Sequence, residues 1–152
     1  MAVVISLKEV VEAIELQTEE SASYLDSDTG EVVYVTDEMR DLAEKGETDS
    51  VPQWMRQEIP KVREAPESGR FLRLPSKFDV HEWAIMDQFS RGQENDRVRE
   101  ELLDAIHGAG AFRMFRSTIR RLGIEKAWYQ FRDQAIEEIA REWLEEHSLP
   151  YK

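Results

Sequence analysis

Between Ala111 and Leu122, apolar and basic residues repeat at one spacing, and that repeat leaves the segment little choice but a helix. Phe112, Phe115, Ile119 and Leu122 fall at i, i+3, i+7 and i+10, the interval that lines one face of an α-helix. Arg113, Arg116 and Arg120 keep the same early spacing one residue later, which rotates them about 100° around the axis. A helix here carries an apolar seam, expected to face a partner helix, beside a stripe of guanidinium groups. The wider block from His107 to Gln134 holds five aromatic and six basic residues. On the helix that follows, Trp128, Phe131, Ala135 and Ile139 continue an apolar face, with Tyr129 and Arg132 beside it. Rings and bases interleave in sequence but separate in space. Phe112, Phe115, Trp128, Phe131 and Trp143 are therefore expected in one buried helical cluster.

The rest of the chain is read by the same periodicities. "SLKEVVEAIEL" is a first helix: Ser6 and Glu9 have capping-box spacing, and Leu7, Val10, Val11 and Ile14 share a face. "SYLDSDTGEVVYV" predicts a β-hairpin whose turn places Gly30 at positive φ. "DEMRDLAEKG" is a short acidic helix with Gly46 as its stop. Pro52, Pro60, Pro66 and Gly69 punctuate an irregular connector over residues 46–70, with one short helix, "PQWMRQEI", begun at Pro52. "RFLRLP" predicts a third strand at the edge of the hairpin sheet, ended by Pro75. From Asp79 the pattern is helical. Asp79 and Glu82 have capping spacing before "EWAIMDQF", Asn95 caps "DRVREELLDAI", Gly108 and Gly110 break the chain, and Gly123 separates "AFRMFRSTIRRL" from a long final helix.

The fold class that results is α+β and mainly helical: a small antiparallel hairpin, extended to three strands, followed by a C-terminal helical bundle. A single domain over residues 1–152 is expected. It comprises a helix-plus-hairpin unit (1–45), the connector (46–70), and a short strand leading into the helical half (71–152).

Charge narrows the range of partners. The formal net charge is −12, and residues 1–50 hold 14 acids against Lys8, Arg40 and Lys45. A chain this acidic repels polyanions at long range, so a nucleic-acid surface can act only locally. The N-terminal "MAVVISLKEVVEAIEL" lacks the basic start of a signal peptide, and no apolar run approaches the ~20 residues of a membrane span. A soluble, cytoplasmic protein without membrane contact is expected. With no cysteine, disulfides and thiolate chemistry are excluded.

The templates for catalysis fail one by one. In "GAGAFR" the third glycine of a dinucleotide fingerprint would fall on Arg113, and a helix precedes it where a strand is required. "HEWAI" has Ile85 where a zinc-protease helix needs its second histidine, while His81, His107 and His147 lie on three separate segments. "DSDTGE" begins like a calcium loop, but Gly30 and Glu31 stand at the wrong positions, and turn chemistry accounts for the stretch. No G-x-S-x-G elbow is present. What remains is a glycine break followed by a helix N-terminus with arginines in its first turns, an arrangement able to hold an anion. His107, Gly108, Gly110, Arg113, Arg116, Arg120, Tyr129 and Arg132 are accordingly the candidate anion- or partner-binding residues. No catalytic residue, metal site or cofactor is expected.

"RFLRLPSKFDVHEWAIMDQF", followed by "LLDAIHGAGAFRMFRSTIRRLGIEKAWYQFRDQAIEEIAREWL", resembles an uncharacterised bacterial protein family that carries a provisional UPF-type label. The similarity covers most of residues 20–145 and is most specific in "GAFRMFR" and in the "AWYQF…EWL" helix. The strand–turn–strand "SYLDSDTGEVVYV" fits the family's early element, and Pro60 departs from its helical middle. The resemblance implies a bacterial, soluble, single-domain protein and carries over no activity, cofactor or catalytic residue. The leading functional expectation is a non-enzymatic binding or regulatory module acting on a protein partner or on a second copy of itself. Nucleic-acid or phosphate binding through the basic helix face comes second, and an enzyme with an unfamiliar site third.

Overall fold

The computed structural model describes residues 3–45 and 69–152, of 43–45 the backbone alone. The short helix expected from Pro52, the Gly46 stop and nearly all of the 46–70 connector lie outside the described residues. The architecture is α+β and mainly helical, with a three-stranded antiparallel sheet toward the N-terminal side and helices after it. The chain divides into two compact units, one of Met1–Asp79 with Ile139–Lys152, the other of Val80–Glu138.

The first unit opens with α1 (Leu7–Leu16), capped as its sequence predicts: the Ser6 hydroxyl accepts from Glu9 N–H at 3.3 Å. Val10, Ala13 and Ile14 form its buried face. Strands β1 (Ser21–Asp26) and β2 (Val32–Thr36) make the hairpin, with Tyr24 opposite Val33 and Gly30 at φ 79° in the turn. Helix α2 (Asp37–Lys45) follows directly. Its N-terminus is capped by the Thr36 hydroxyl, which accepts from Met39 N–H at 3.1 Å, and Asp37 and Glu38 stand where the helix dipole favours acids. Strand β3 (Phe71–Arg73) pairs antiparallel with β1, so the order is β2-β1-β3.

As the central strand, β1 is covered on both faces, and its burial does not alternate. Ser23 and Asp26 are buried with Ala22 and Leu25. Both polar residues are satisfied. Ser23 Oγ donates to Ala13 O at 3.1 Å, and Ser23 N–H donates to Oε1 of buried Gln17 at 2.8 Å. Gln17 in turn donates to Pro75 O at 2.6 Å, so one amide ties α1, β1 and the exit from β3 together. Asp26 takes a bidentate pair of hydrogen bonds from Arg70, at 2.7 and 2.6 Å. Val33, Val35, Met39 and Phe71 form a buried apolar cluster, flanked by Tyr24 and Leu42.

Short helix α3 (Lys77–Val80) corrects the sequence reading of the next start signal. Asp79 does not cap toward Glu82. Its carboxylate accepts from Ser76 N–H and Oγ at 2.9 and 3.0 Å, while Asp79 N–H donates to Ser76 Oγ. The capping box lies one turn earlier, and His81 at φ 50° breaks the helix after it. At the other end of this unit, Ile5 and Tyr151 form a parallel bridge, with Ile5 N–H donating to Pro150 O at 2.8 Å.

The second unit contains α4 (Glu82–Arg91), α5 (Asp96–Ile106), α6 (Ala111–Leu122) and the first part of α7 (Glu125–Glu146). Asn95 caps α5 as expected, accepting from Arg97 and Val98 N–H. Gly123, at φ 70°, ends α6 in a Schellman arrangement: Ile124 N–H reaches Ile119 O and Gly123 N–H reaches Arg120 O. Rings from three helices meet at the centre. Phe115 and Trp128 have centroids 4.8 Å apart, Phe89 lies 5.4 Å from Trp128, and Phe131 lies 5.5 Å from Phe89.

Two members of the expected cluster are corrected. Phe112 is 48% exposed, because the buried arc of α6 runs through Phe115, Thr118 and Ile119. Phe112 stands about 60° round from Phe115 and in the first turn. Thr118 tolerates burial because its hydroxyl donates to Met114 O at 2.7 Å. Trp143 is buried but belongs to the first unit.

Truncating Phe115, whose exposure is 0%, to Ala should cost about 3–5 kcal/mol in urea unfolding. Phe112→Ala should shift stability by no more than about 0.5 kcal/mol. Equal losses at both positions would contradict this division of the helix. A second expectation concerns pH. Arg70 holds the Asp26 carboxyl well below the usual carboxylate range, against the opposing effect of burial. The stabilisation is thus present above the unfolded pKa of about 4 and is lost as pH falls below it. Asp26→Asn should cost about 1.5 kcal/mol at pH 7, since the Arg70 side chain is 38% exposed, and the gap should narrow below pH ~4. A gap that stays constant down to pH ~3 would show that the pair does not titrate this way.

Candidate functional site

The outer face of α6 begins at the glycine corner. Gly110 has φ 67° and provides no side chain to cap the first N–H groups of α6, which like those of any helix lack an intrahelical acceptor. No acidic residue occupies the first turn. The Arg113 guanidinium lies back against Gly110, 3.6 Å from where a Cβ on that glycine would stand. A cation therefore sits at the positive end of the helix dipole, where an anion would be stabilised.

Further along, Arg116 and Arg120 are exposed on the same stripe. Arg116 Nε makes a long 3.4 Å hydrogen bond to Phe112 O. Among the described residues no carboxylate pairs with Arg113, Arg116 or Arg120. The neighbouring Arg121 is different, lying 3.5 Å from Glu101 of α5. Among the described residues, acids pair with Arg121 and Arg132 but not with the stripe. Phe112 and Met114, at 48% and 45% exposure, add apolar surface beside it.

The remaining candidates divide. His107 follows α5, its Nδ1 facing Leu103 O. Its ring also stands edge-on to Trp83, with centroids 5.8 Å apart, and Trp83 Nε1–H donates to Ile106 O at 3.0 Å. The tryptophan thus fastens α4 to the end of α5, a role that no sequence pattern indicated. Gly108 lies in the same corner without positive φ. Tyr129 is 49% exposed on α7, and among the described residues no hydrogen bond or ring contact joins it to the α6 stripe. Arg132 is structural: Nε donates to Glu82 Oε1 at 2.7 Å, tying α7 to the start of α4.

Among the described residues no three His, Asp or Glu side chains gather closely enough to hold a metal ion. Among them also, no helix is long and apolar enough to cross a membrane. "DSDTGE" is a turn, as its sequence suggested: Gly30 N–H donates to Asp26 O at 2.8 Å, and Asp28 N–H to Asp26 Oδ1 at 3.0 Å. The cation beside its carboxylates is Arg70, 3.5 Å from Asp28 as well.

The glycine corner yields a contrast that needs no ligand. Gly110→Ala should destabilise by about 1 kcal/mol, because an L side chain resists the left-handed region. Gly108→Ala, at ordinary φ and with only a 4.0 Å approach to Asp104 O, should be neutral or stabilising by a few tenths of a kcal/mol. Thermal unfolding of the two variants checks this, and a reversed order would contradict the corner.

Comparison with known proteins gave one result. No curated protein and no solved structure matched the chain. The model of an uncharacterised protein family matches residues 1–151, a longer span than the motifs alone suggested, and the chain belongs to that family, UPF0158.

Proposed function

We propose that this chain is a binding module of the bacterial cytoplasm with no catalysis of its own, and that the outer face of α6 docks an acidic protein partner. The observation that carries this reading is the state of Arg113, Arg116 and Arg120. In a chain with 32 acids and 20 Lys and Arg, these three pair with no described carboxylate. Guanidinium groups without a described carboxylate partner, beside exposed Phe112 and Met114, have the composition of a protein interface, where Arg, Met and aromatic residues are enriched. A carboxylate of the partner placed at the start of α6 would meet both the free N–H groups and Arg113. The acid-rich first fifty residues make a second copy of this chain one partner of that kind.

Nucleic acid is the alternative. The same arginines support it, and the net charge of −12 opposes it. Capture from bacterial lysate separates the readings when wild type and an Arg116→Glu/Arg120→Glu variant are each used with and without nuclease. The expected result is an acidic protein retained after nuclease treatment and lost by the variant. Retention that disappears with nuclease would replace the protein partner by nucleic acid. Identical capture by both baits would remove the stripe from the function.

A further inference from the structure

We propose that a groove between α4 and α7 binds the backbone of an extended, uncharged peptide segment. The groove measures ≈ 260 Å³ and lies within the second unit, away from the arginine stripe in sequence and composition. Four glutamines line it: Gln88 and Gln93 from α4 and its end, Gln130 and Gln134 from α7. The whole chain has seven glutamines, and 34% of its residues are charged, yet none of the groove's lining residues carries a charge.

The chemistry of the strip selects its ligand. A charged group entering the groove would give up hydration and find no countercharge. A peptide backbone gives up only N–H and C=O contacts, and a glutamine amide can replace both kinds because it donates and accepts. Gln88, Gln130 and Gln134 have side-chain amides without a hydrogen-bond partner among the described residues. Gln93 is fixed by donating Nε2–H to Phe89 O at 3.0 Å, which leaves its oxygen as an acceptor. Spacing supports an extended chain. Gln130 and Gln134 rise about 6 Å along α7, close to the roughly 6.6 Å over which an extended chain repeats the same orientation. Half-buried Phe131 supplies a place for an apolar side chain. Sugars and nucleobases would ask for an open ring face to stack on, and Phe131 is already tilted against Phe89 at 5.5 Å.

The test titrates the ¹⁵N-labelled full chain with N-acetyl-Ala-Leu-Ala-amide and follows the glutamine side-chain amide resonances. Parallel arms use the backbone N-methylated peptide, N-acetyl-Ala-Glu-Ala-amide, methyl glucoside and uridine. The expected result is a saturable shift at Gln88, Gln130 and Gln134. Binding should be at least about tenfold weaker for the N-methylated and acidic peptides. A Gln130→Glu/Gln134→Glu variant, altered only at exposed helical positions, should lose binding by a similar factor while keeping the rest of its spectrum. Gln88→Ala should weaken it less, and provides the readout if the double variant misfolds. Absence of a saturable shift up to the solubility of the peptide would overturn the proposal. Equal affinity for the N-methylated peptide, or preference for the glycoside or uridine, would overturn it as well.

Discussion

The contact of Phe115 with Trp128, centroids 4.8 Å apart, fixes which way α6 faces, and much else in the helical unit follows. Phe89 closes the set at 6.2 Å from Phe115, so three helices share one aromatic centre. With Phe115 and Ile119 pointing inward, Arg116 and Arg120 lie about 100° further round the axis, where they are exposed. The arginine stripe is exposed for this geometric reason, without any force acting on the arginines themselves. Polar fastenings complete the frame. Trp83 holds the end of α5 through a hydrogen bond of 3.0 Å, and Arg132 holds the start of α4 through one of 2.7 Å to Glu82. Such bonds contribute about 1 kcal/mol each, whereas a fully buried ring contributes several, so the rings determine stability and the polar contacts determine register.

The sheet unit follows a different logic. Its central strand is short of apolar residues, and two of its six positions, Ser23 and Asp26, bury polar groups. Burial of that kind is tolerated only when each group finds a partner. Gln17, Pro75 and Ala13 supply them for Ser23 and its neighbourhood, and Arg70 supplies them for Asp26. Arg70 also lies 5.4 Å over the Phe71 ring, which helps to set β3 in its place. The hairpin and the third strand are therefore joined by charge and amide chemistry as much as by apolar packing.

Much of this was legible in the residues. Caps at Ser6 and Asn95, the hairpin turn at Gly30, the edge strand ended by Pro75 and the helix stop at Gly123 all announce themselves locally, because each uses a residue with a distinct conformational or hydrogen-bonding property. What failed was long-range. Asp79 has suitable capping spacing toward two serine-or-acid positions, and only the left-handed His81 decides between them. Phe112 fits the apolar seam by period, but period does not reveal how far the facing helices extend. Gln17 reads as an ordinary polar residue after a helix, although it is buried and bonded 58 residues away. The candidate site was legible in part for the same reason: the stripe is a local pattern, while Arg132 was claimed by Glu82, 50 residues distant. That no described carboxylate pairs with the stripe could be learned only from the fold.

The central claim is a division of labour on α6, with rings holding the fold and arginines left for a partner. Urea unfolding of an Arg113→Gln/Arg116→Gln/Arg120→Gln variant tests it most directly, because stability reports whether those charges serve the chain itself. An unchanged unfolding free energy, within about 0.5 kcal/mol of wild type, is the predicted result. A loss of about 2 kcal/mol or more would mean that the stripe is bound up in the protein's own packing, and the account would be contradicted.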